Sequence, residues 1–190
     1  FIQFDKGQIG QIIYNFPLQT RFFSSTERLA IADIPIQTLD QQKCTREEYL
    51  AYLRCCVMEH KLPIQTFENV VAIHKNASIG KFEVETASVR GKSFYNVSYV
   101  VFSTGGTAKS RMLNVPGEDR ELVSTRLQEP HLYFRKNVSI VGSRNSAVEW
   151  ALRCYHAGAN VTLITRRKIF DPDHVKYWLL PELNSLIKEG

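Results

Sequence analysis

Residues 137–167 have the sequence NVSIVGSRNSAVEWALRCYHAGANVTLITRR, and this stretch decides the fold. The apolar run at 137–142 predicts a β-strand that ends in a glycine turn. The next segment predicts a helix, because apolar residues recur at helical spacing on one side: Ala147, Val148, Ala151, Leu152 and Tyr155. Gly158 is placed to end this helix in a left-handed turn, and residues 160–167 predict a second strand. A strand, a helix and a strand in this order predict two parallel strands with a helical connection, and therefore an α/β fold.

The turn after the first strand has the pattern of a Rossmann-like dinucleotide-binding motif. Gly142 stands where the strand passes into the helix and the backbone must turn tightly. The N–H groups at the start of such a helix can bind a pyrophosphate. The motif departs from G-x-G-x-x-G/A at its third position, where Arg144 would obstruct a close backbone approach but could itself pair with phosphate. The candidate pyrophosphate-binding residues are Gly142, Ser143, Arg144, Asn145, Ser146 and Ala147.

The end of the second strand decides which nicotinamide cofactor is expected. NAD-binding units usually carry an acidic residue there, which binds the ribose 2′-hydroxyl. This sequence instead has Thr165, Arg166, Arg167 and Lys168. Two guanidinium groups can bind a 2′-phosphate, so Arg166 and Arg167 predict NADPH rather than NADH. The alternative interpretation is that these basic residues form an ordinary solvated strand end.

The beginning of the chain predicts part of another nucleotide-binding unit. Residues 1–7, FIQFDKG, predict a short strand that ends at Asp5 and is closed by Gly7. An acidic residue at a strand end could hydrogen-bond a ribose, as in other Rossmann-like units. The glycine turn that such a unit requires would lie before Phe1.

The segments between these two units predict a helix and a small sheet. Residues 8–40 predict irregular structure, and 45–61 predict a helix with a capping box of Thr45 and Glu48. Three segments rich in Val, Phe and Tyr predict an antiparallel β-meander: 69–75, 81–88 and 93–103. The third strand runs into the sequence STGG at 103–106, and LNVPGED at 113–119 predicts a turn-rich connector.

Composition argues against several classes of protein. No apolar run is long enough to cross a membrane. The net charge of +5, with scattered basic residues, does not favour a nucleic-acid partner. The cysteines have neither metal-ligand spacing nor a CxxC pair, so we expect no metal and a reducing, cytoplasmic location. They are Cys44, Cys55, Cys56 and Cys154.

Several motifs together resemble the two-dinucleotide-domain flavoproteins of the thioredoxin-reductase-like family. VVFSTGG at 100–106 is similar to the family's ATG motif, and LNVPGED to its L-x-x-PGE segment. VGSRNSA at 141–147 resembles its second Rossmann motif, and ITRR at 164–167 its HRR signature for NADPH. The YpdA-type branch, the bacillithiol disulfide reductases, is more similar still. The stretches that carry this resemblance are YNFPLQTRFFSST, KCTREEYLAYLR, EPHLYF and HVKYWLLPEL.

The resemblance implies two Rossmann-like units, the cofactors FAD and NADPH, and an oxidoreductase that passes hydride through FAD to a low-molecular-weight disulfide. Residues 1–117 would form a partial FAD-binding domain that includes the meander at 69–103, and 118–190 a partial NADPH-binding domain. The implied FAD contacts are Asp5 at the adenosine ribose, Val71 by the adenine, and Thr104 and Gly105 against the cofactor. Gly142, Ser143, Arg144, Asn145, Ser146 and Ala147 would bind the NADPH pyrophosphate, and Arg166 and Arg167 the 2′-phosphate. The full-length protein would be a homo-oligomer that has no membrane or nucleic-acid partner.

The sequence departs from the family pattern in two ways, and two other functions stay open. The FAD glycine motif is absent, and so is the CxxC of true thioredoxin reductases, which the YpdA-type branch also lacks. The chain begins on an apolar run at Phe1 and ends after a helical pattern at Gly190, so we expect it to be truncated at both ends. One alternative is a flavin monooxygenase, although its F-x-G-x-x-x-H-type motif is missing from residues 126–136. The other is a non-catalytic NADPH-binding sensor or fragment.

Overall fold

A pair of parallel strands lies in each of two units, Phe1–Thr125 and Arg126–Gly190. The computed structural model describes residues 1–76, 80–106, 110–167 and 170–189. Parallel strands, helices and an antiparallel meander together confirm the predicted α/β class. The predicted division between residues 117 and 118 stays a prediction.

The first unit begins with strand β1 (Gln3–Asp5), which pairs in parallel with β2 (Ile64–Thr66). The chain between them contains helices α1 (Gln11–Tyr14), α2 (Thr26–Leu29) and α3 (Arg46–Glu59). The prediction of wholly irregular structure at 8–40 is therefore wrong, because α1 and α2 each form a single helical turn. Such short helices carry too little hydrophobic periodicity to be recognised from sequence.

Helix α3 forms as predicted and organises the core of the first unit. Thr45 accepts a hydrogen bond from the N–H of Glu48, and the Glu48 carboxylate accepts one from the N–H of Thr45, which completes the capping box. The apolar side of the helix packs into a cluster of buried residues: Ile36, Cys44, Tyr49, Tyr52 and Cys56. Leu53 packs against this cluster while partly exposed.

The meander consists of β3 (Asn69–Asn76), β4 (Lys81–Ser88) and β5 (Gly91–Val97), paired antiparallel in that order. The third strand ends at Val97 and not at residue 103, as the sequence had predicted. Among the described residues no strand pairs with 98–103, so this apolar segment lacks the hydrogen-bonding partner that defines a strand. Its side chains are correspondingly open to solvent, with Tyr99 87% and Val101 86% exposed.

The second unit contains the predicted strand, helix and strand. After a 3-10 helix at Pro130–Tyr133 come β6 (Asn137–Val141), α4 (Asn145–His156), β7 (Asn160–Ile164) and α5 (Leu180–Glu189). Strands β6 and β7 pair in parallel, with Val141 opposite Ile164. Gly158 follows the end of α4 with φ +80°, the left-handed conformation that its position predicted.

Helix α4 packs on two sides. Ala151 and Cys154 belong to the cluster beneath the β6–β7 sheet, while Val148 and Leu152 pack with Val175 and Leu183. Tyr155, which its spacing places on the same side of the helix as these apolar residues, is 47% exposed. Contact with both the sheet and α5 buries a wider band of the helix that includes Cys154.

Candidate dinucleotide-binding site

The candidate site lies at the carboxyl edge of the β6–β7 sheet. The register pairs Val141 with Ile164, and the N–H of Gly142 donates to the carbonyl of Ile164 at 2.9 Å. The glycine turn that follows β6 and the arginine pair that follows β7 therefore begin at the same edge. Ligands of open α/β sheets bind at the carboxyl ends of the strands, so the structure brings together the two motifs predicted for NADPH.

Gly142 allows the helix to approach the strand closely. Its φ of +151° is a conformation that residues with side chains rarely adopt. A Cβ atom at this position would lie 2.8 Å from the Cβ of Ala147, far inside van der Waals contact. Both small residues of the motif, Gly142 and Ala147, thus face each other across the turn.

Helix α4 begins directly after this turn. Arg144 has an extended backbone (φ −109°, ψ −179°), and its carbonyl accepts the first helical hydrogen bond, from the N–H of Val148. The N–H groups of Asn145, Ser146 and Ala147 precede the first residue that can bond within the helix, so they point out of its end. The first turn contains no acidic residue. Together with the helix dipole, these groups favour an anion.

The side chain of Asn145 has a structural role that the sequence did not show. Its Oδ1 accepts a hydrogen bond from the N–H of Lys176 at 2.7 Å, across 31 residues of chain. The amide therefore holds the segment before α5 against the first turn of α4. The backbone N–H of Asn145 stays among the unpaired N–H groups at the start of α4.

The arginine pair lies just beyond β7. Arg166 and Arg167 are exposed, and the N–H of Arg167 donates to Thr165 Oγ1 at 3.0 Å. Arg167 Nη1 lies 3.3 Å from Asp171 Oδ2, and the same oxygen lies 2.8 Å from Nδ1 of His174. A hydrogen bond from the N–H of Asp173, then the neighbouring His174 and Arg167, lower the pKa of Asp171 below its ordinary value. Arg167 and Asp171 lie between β7 and α5, outside both elements, so the helical i, i+4 rule does not predict this contact.

The residues predicted for FAD occupy several elements of the first unit. Asp5 ends β1, where its Oδ1 accepts a hydrogen bond from the N–H of Gly7 at 2.8 Å. Val71 is the extra residue of a β-bulge, because the register shifts between Val70 and Ala72 opposite β4. Thr104 and Gly105 lie in the exposed segment after the meander. Gly105 has φ +70°, and a Cβ atom there would lie 3.4 Å from Ile12 of α1.

The four cysteines do not form a redox pair. All are free thiols, and Cys44 and Cys154 have no exposed surface. Burial, assisted by the charge of Glu48, raises the pKa of Cys44 to about 11, and burial also raises the pKa of Cys154. Burial therefore keeps Cys44 as an inert thiol, because desolvation outweighs the stabilisation of a thiolate near a helix end.

We therefore expect an alkylating reagent to modify Cys55, which is only partly buried, well before the other three cysteines of the native protein. Peptide mass spectrometry after timed exposure to iodoacetamide measures the order, and the unfolded protein, in which all four should react, is the control. Early modification of Cys44 in the folded protein would show that this thiol is accessible and not buried.

In the described part of the chain, no group of three or more His, Cys, Asp or Glu side chains is arranged to hold a metal ion. Among the described helices, none combines the length and apolar character of a membrane span.

Comparison with known proteins places these features in a family. The family described as pyridine nucleotide-disulphide oxidoreductase matches residues 1–190. Bacilliredoxin reductase Bdr of Bacillus subtilis is 34% identical over 98% of the chain, and the chain spans 55% of its length. The solved bacillithiol disulfide reductases Bdr (YpdA) of Bacillus cereus and Staphylococcus aureus are 36% and 33% identical over 98% of the chain, with TM-scores of 0.93 and 0.89. The chain covers 57% and 55% of those structures. The resemblance to the YpdA-type branch is thus confirmed, and the chain belongs to the pyridine nucleotide-disulphide oxidoreductase family.

Proposed function

We propose that this chain is part of an NADPH-dependent flavoprotein oxidoreductase that reduces a disulfide. The observation that carries the proposal is the shared edge of β6 and β7, where the Gly142 turn and the pair Arg166–Arg167 begin beside each other. The relatives are named as a bacilliredoxin reductase and as bacillithiol disulfide reductases, and these names support a disulfide as the electron acceptor.

The residues of the second unit fit NADPH, which supplies the hydride when bound. The close approach of Gly142 and Ala147 leaves no room for a side chain at position 142, and the backbone of the turn can meet a pyrophosphate there. The N–H groups of Asn145, Ser146 and Ala147 would donate to it, with Ser143 and Arg144 at the turn. Arg166 and Arg167 would bind the 2′-phosphate and so select NADPH over NADH.

The residues of the first unit would contact FAD, in a partial FAD-binding half that we propose spans residues 1–117. Asp5 is held by the N–H of Gly7 at the end of β1 and would face the adenosine ribose. The bulge at Val71 takes this residue out of the one-to-one register of the ladder, so its backbone is suited to contact the adenine. Thr104 and Gly105, which are exposed, would lie against the cofactor.

The acceptor would be a disulfide outside this chain. One hydride and one proton reduce a disulfide to two thiols, and the flavin would pass these electrons on. Cys44 and Cys154 are too deeply buried to exchange with it. A low-molecular-weight disulfide is the substrate that we propose, in a cytoplasmic protein that forms a homo-oligomer.

The test uses the full open reading frame and records its visible spectrum before and after anaerobic addition of NADPH or NADH. We expect a flavin spectrum that bleaches faster with NADPH and returns when a low-molecular-weight disulfide is added. A protein without flavin, or a flavin that NADPH does not bleach, would contradict the proposal and favour the sensor. Rapid NADPH-dependent oxygen consumption without disulfide reduction would instead favour a monooxygenase.

A further inference from the structure

The segment 171–176, here called the strap, connects the two phosphate-binding ends of the candidate site. It starts at Asp171, whose Oδ2 lies 3.3 Å from Nη1 of Arg167 after β7. It ends at Lys176, whose N–H donates to Oδ1 of Asn145 in the first turn of α4. The strap therefore touches both the arginine predicted for the 2′-phosphate and the helix end predicted for the pyrophosphate.

Asp171 is held in place by several hydrogen bonds. Its Oδ1 accepts from the N–H of Asp173 at 2.9 Å, and its Oδ2 pairs with Nδ1 of His174 at 2.8 Å. Its carbonyl accepts from the N–H groups of His174 and Val175, both at 2.9 Å. The backbone of Asp171 and its carboxylate are thus each held by their own hydrogen bonds, so Oδ2 is presented in a fixed direction.

The rest of the strap is anchored in the core of the second unit. Val175 is 1% exposed and packs with Val148 and Leu152 of α4 and with Leu183 of α5. The hydrogen bond from Lys176 to Asn145 fixes the next residue of the strap. The position of Asp171 is thereby tied to the same helix whose N-terminus faces the pyrophosphate.

The Asp171 carboxylate orients the Arg167 guanidinium and leaves most of the N–H donors of the guanidinium available. A guanidinium carries five N–H donors in a planar fork, and the recorded ion pair uses one nitrogen, Nη1. A free arginine side chain loses rotational entropy when it closes on a phosphate, which weakens binding by up to about tenfold per ordered side chain. An arginine already held by Asp171 would lose less.

We propose that Asp171 is a positioning residue that holds Arg167 for the 2′-phosphate and so contributes to the choice of NADPH over NADH. This inference rests on the proposed function. Asp171 itself does not contact the cofactor in this arrangement. It acts through Arg167, as the anchored start of the strap.

The negative charge of Asp171 would also act on a bound 2′-phosphate, in the opposite direction. This repulsion is offset by Arg167 and, when protonated, by His174, which both share Oδ2 of Asp171. All three side chains are partly exposed, so the surrounding water weakens the remaining repulsion. We therefore expect positioning to dominate.

The test measures dissociation constants in the full-length protein by calorimetry, with 2′,5′-ADP and 5′-ADP as probes that differ in the 2′-phosphate. We expect Asp171→Ala to weaken the binding of 2′,5′-ADP about tenfold, which is the upper range for ordering one side chain. The dissociation constant for 5′-ADP should change by less than about twofold. Asp171→Asn, which keeps the shape, should lie between wild type and Asp171→Ala. The matched control is Asp173→Asn, which removes the same charge two residues away and should change the binding of neither probe.

A double-mutant cycle separates positioning from a general effect. If Asp171 acts through Arg167, adding Asp171→Ala to an Arg167→Ala protein should cause no further loss for 2′,5′-ADP. Unchanged or tighter binding of 2′,5′-ADP by the Asp171→Ala protein would overturn this inference but not the proposed function. An equal loss of affinity for both probes would do the same. A wild-type protein that does not distinguish the two probes would overturn the proposed NADPH selectivity, and the inference with it.

Discussion

Arg166→Glu is expected to weaken NADPH binding about a hundredfold, since hydrogen bonds to charged groups are worth about 1.5–3 kcal/mol and the new carboxylate would repel the phosphate. NADH has no 2′-phosphate, so its dissociation constant should change by less than about threefold. Arg166 is exposed after β7, and it is Arg167 whose guanidinium pairs with Asp171. Stopped-flow bleaching of the flavin, or calorimetry with each cofactor, gives the two constants.

Lys136→Glu is the matched control for this charge reversal. Lys136 is exposed directly before β6, so it lies at the amino edge of the same strand pair. A strand of five residues separates it from the carboxyl edge, which is about 17 Å at 3.3 Å per residue. NADPH binding should change little in this variant. Equal losses from Arg166→Glu for NADPH and NADH would show that the arginine does not read the 2′-phosphate.

The parts of the site that the sequence predicts are those in which a local rule determines position. Gly142 must be a glycine because its φ is +151° and because Ala147 lies against it five residues later. Arg166 and Arg167 follow the next parallel strand, so the register alone brings them to the glycine turn. In each case the chain distance is short or the pairing of neighbouring strands supplies the contact.

The parts that the sequence did not predict depend on contacts between distant residues. The hydrogen bond between the Asn145 side chain and the N–H of Lys176 joins residues 31 positions apart, and no periodic pattern marks such a pair. The complete burial of Cys44, which raises its pKa, comes from its packing in the first core cluster, and no local pattern shows that packing. Residues 98–103 have the composition of a strand and lack a described partner strand. Strand formation requires such a partner, and composition cannot supply it.

Gly142→Ala is expected to lower both stability and NADPH affinity strongly, because the added Cβ atom causes a steric collision and also strains the backbone. The new Cβ would lie 2.8 Å from Cβ of Ala147, and φ +151° is strained for any residue with a side chain. Such strain costs about 1–3 kcal/mol, and relief requires that α4 move away from β6. We expect a lower melting temperature of the full-length protein and NADPH binding weakened by at least about tenfold, since the N–H groups of α4 would shift from the pyrophosphate.

Two variants separate the collision from the backbone strain. Gly91 also has positive φ (+113°), but a Cβ atom there would meet nothing within 4 Å, so Gly91→Ala should lower stability without affecting NADPH. In the double variant Gly142→Ala with Ala147→Gly, the atom that collides is gone while φ at residue 142 is unchanged. Recovery of NADPH binding would show that close packing of the turn on α4 sets the pyrophosphate site. If affinity stays low, the backbone conformation of Gly142 is the requirement, because the glycine at 147 has already removed the steric contact.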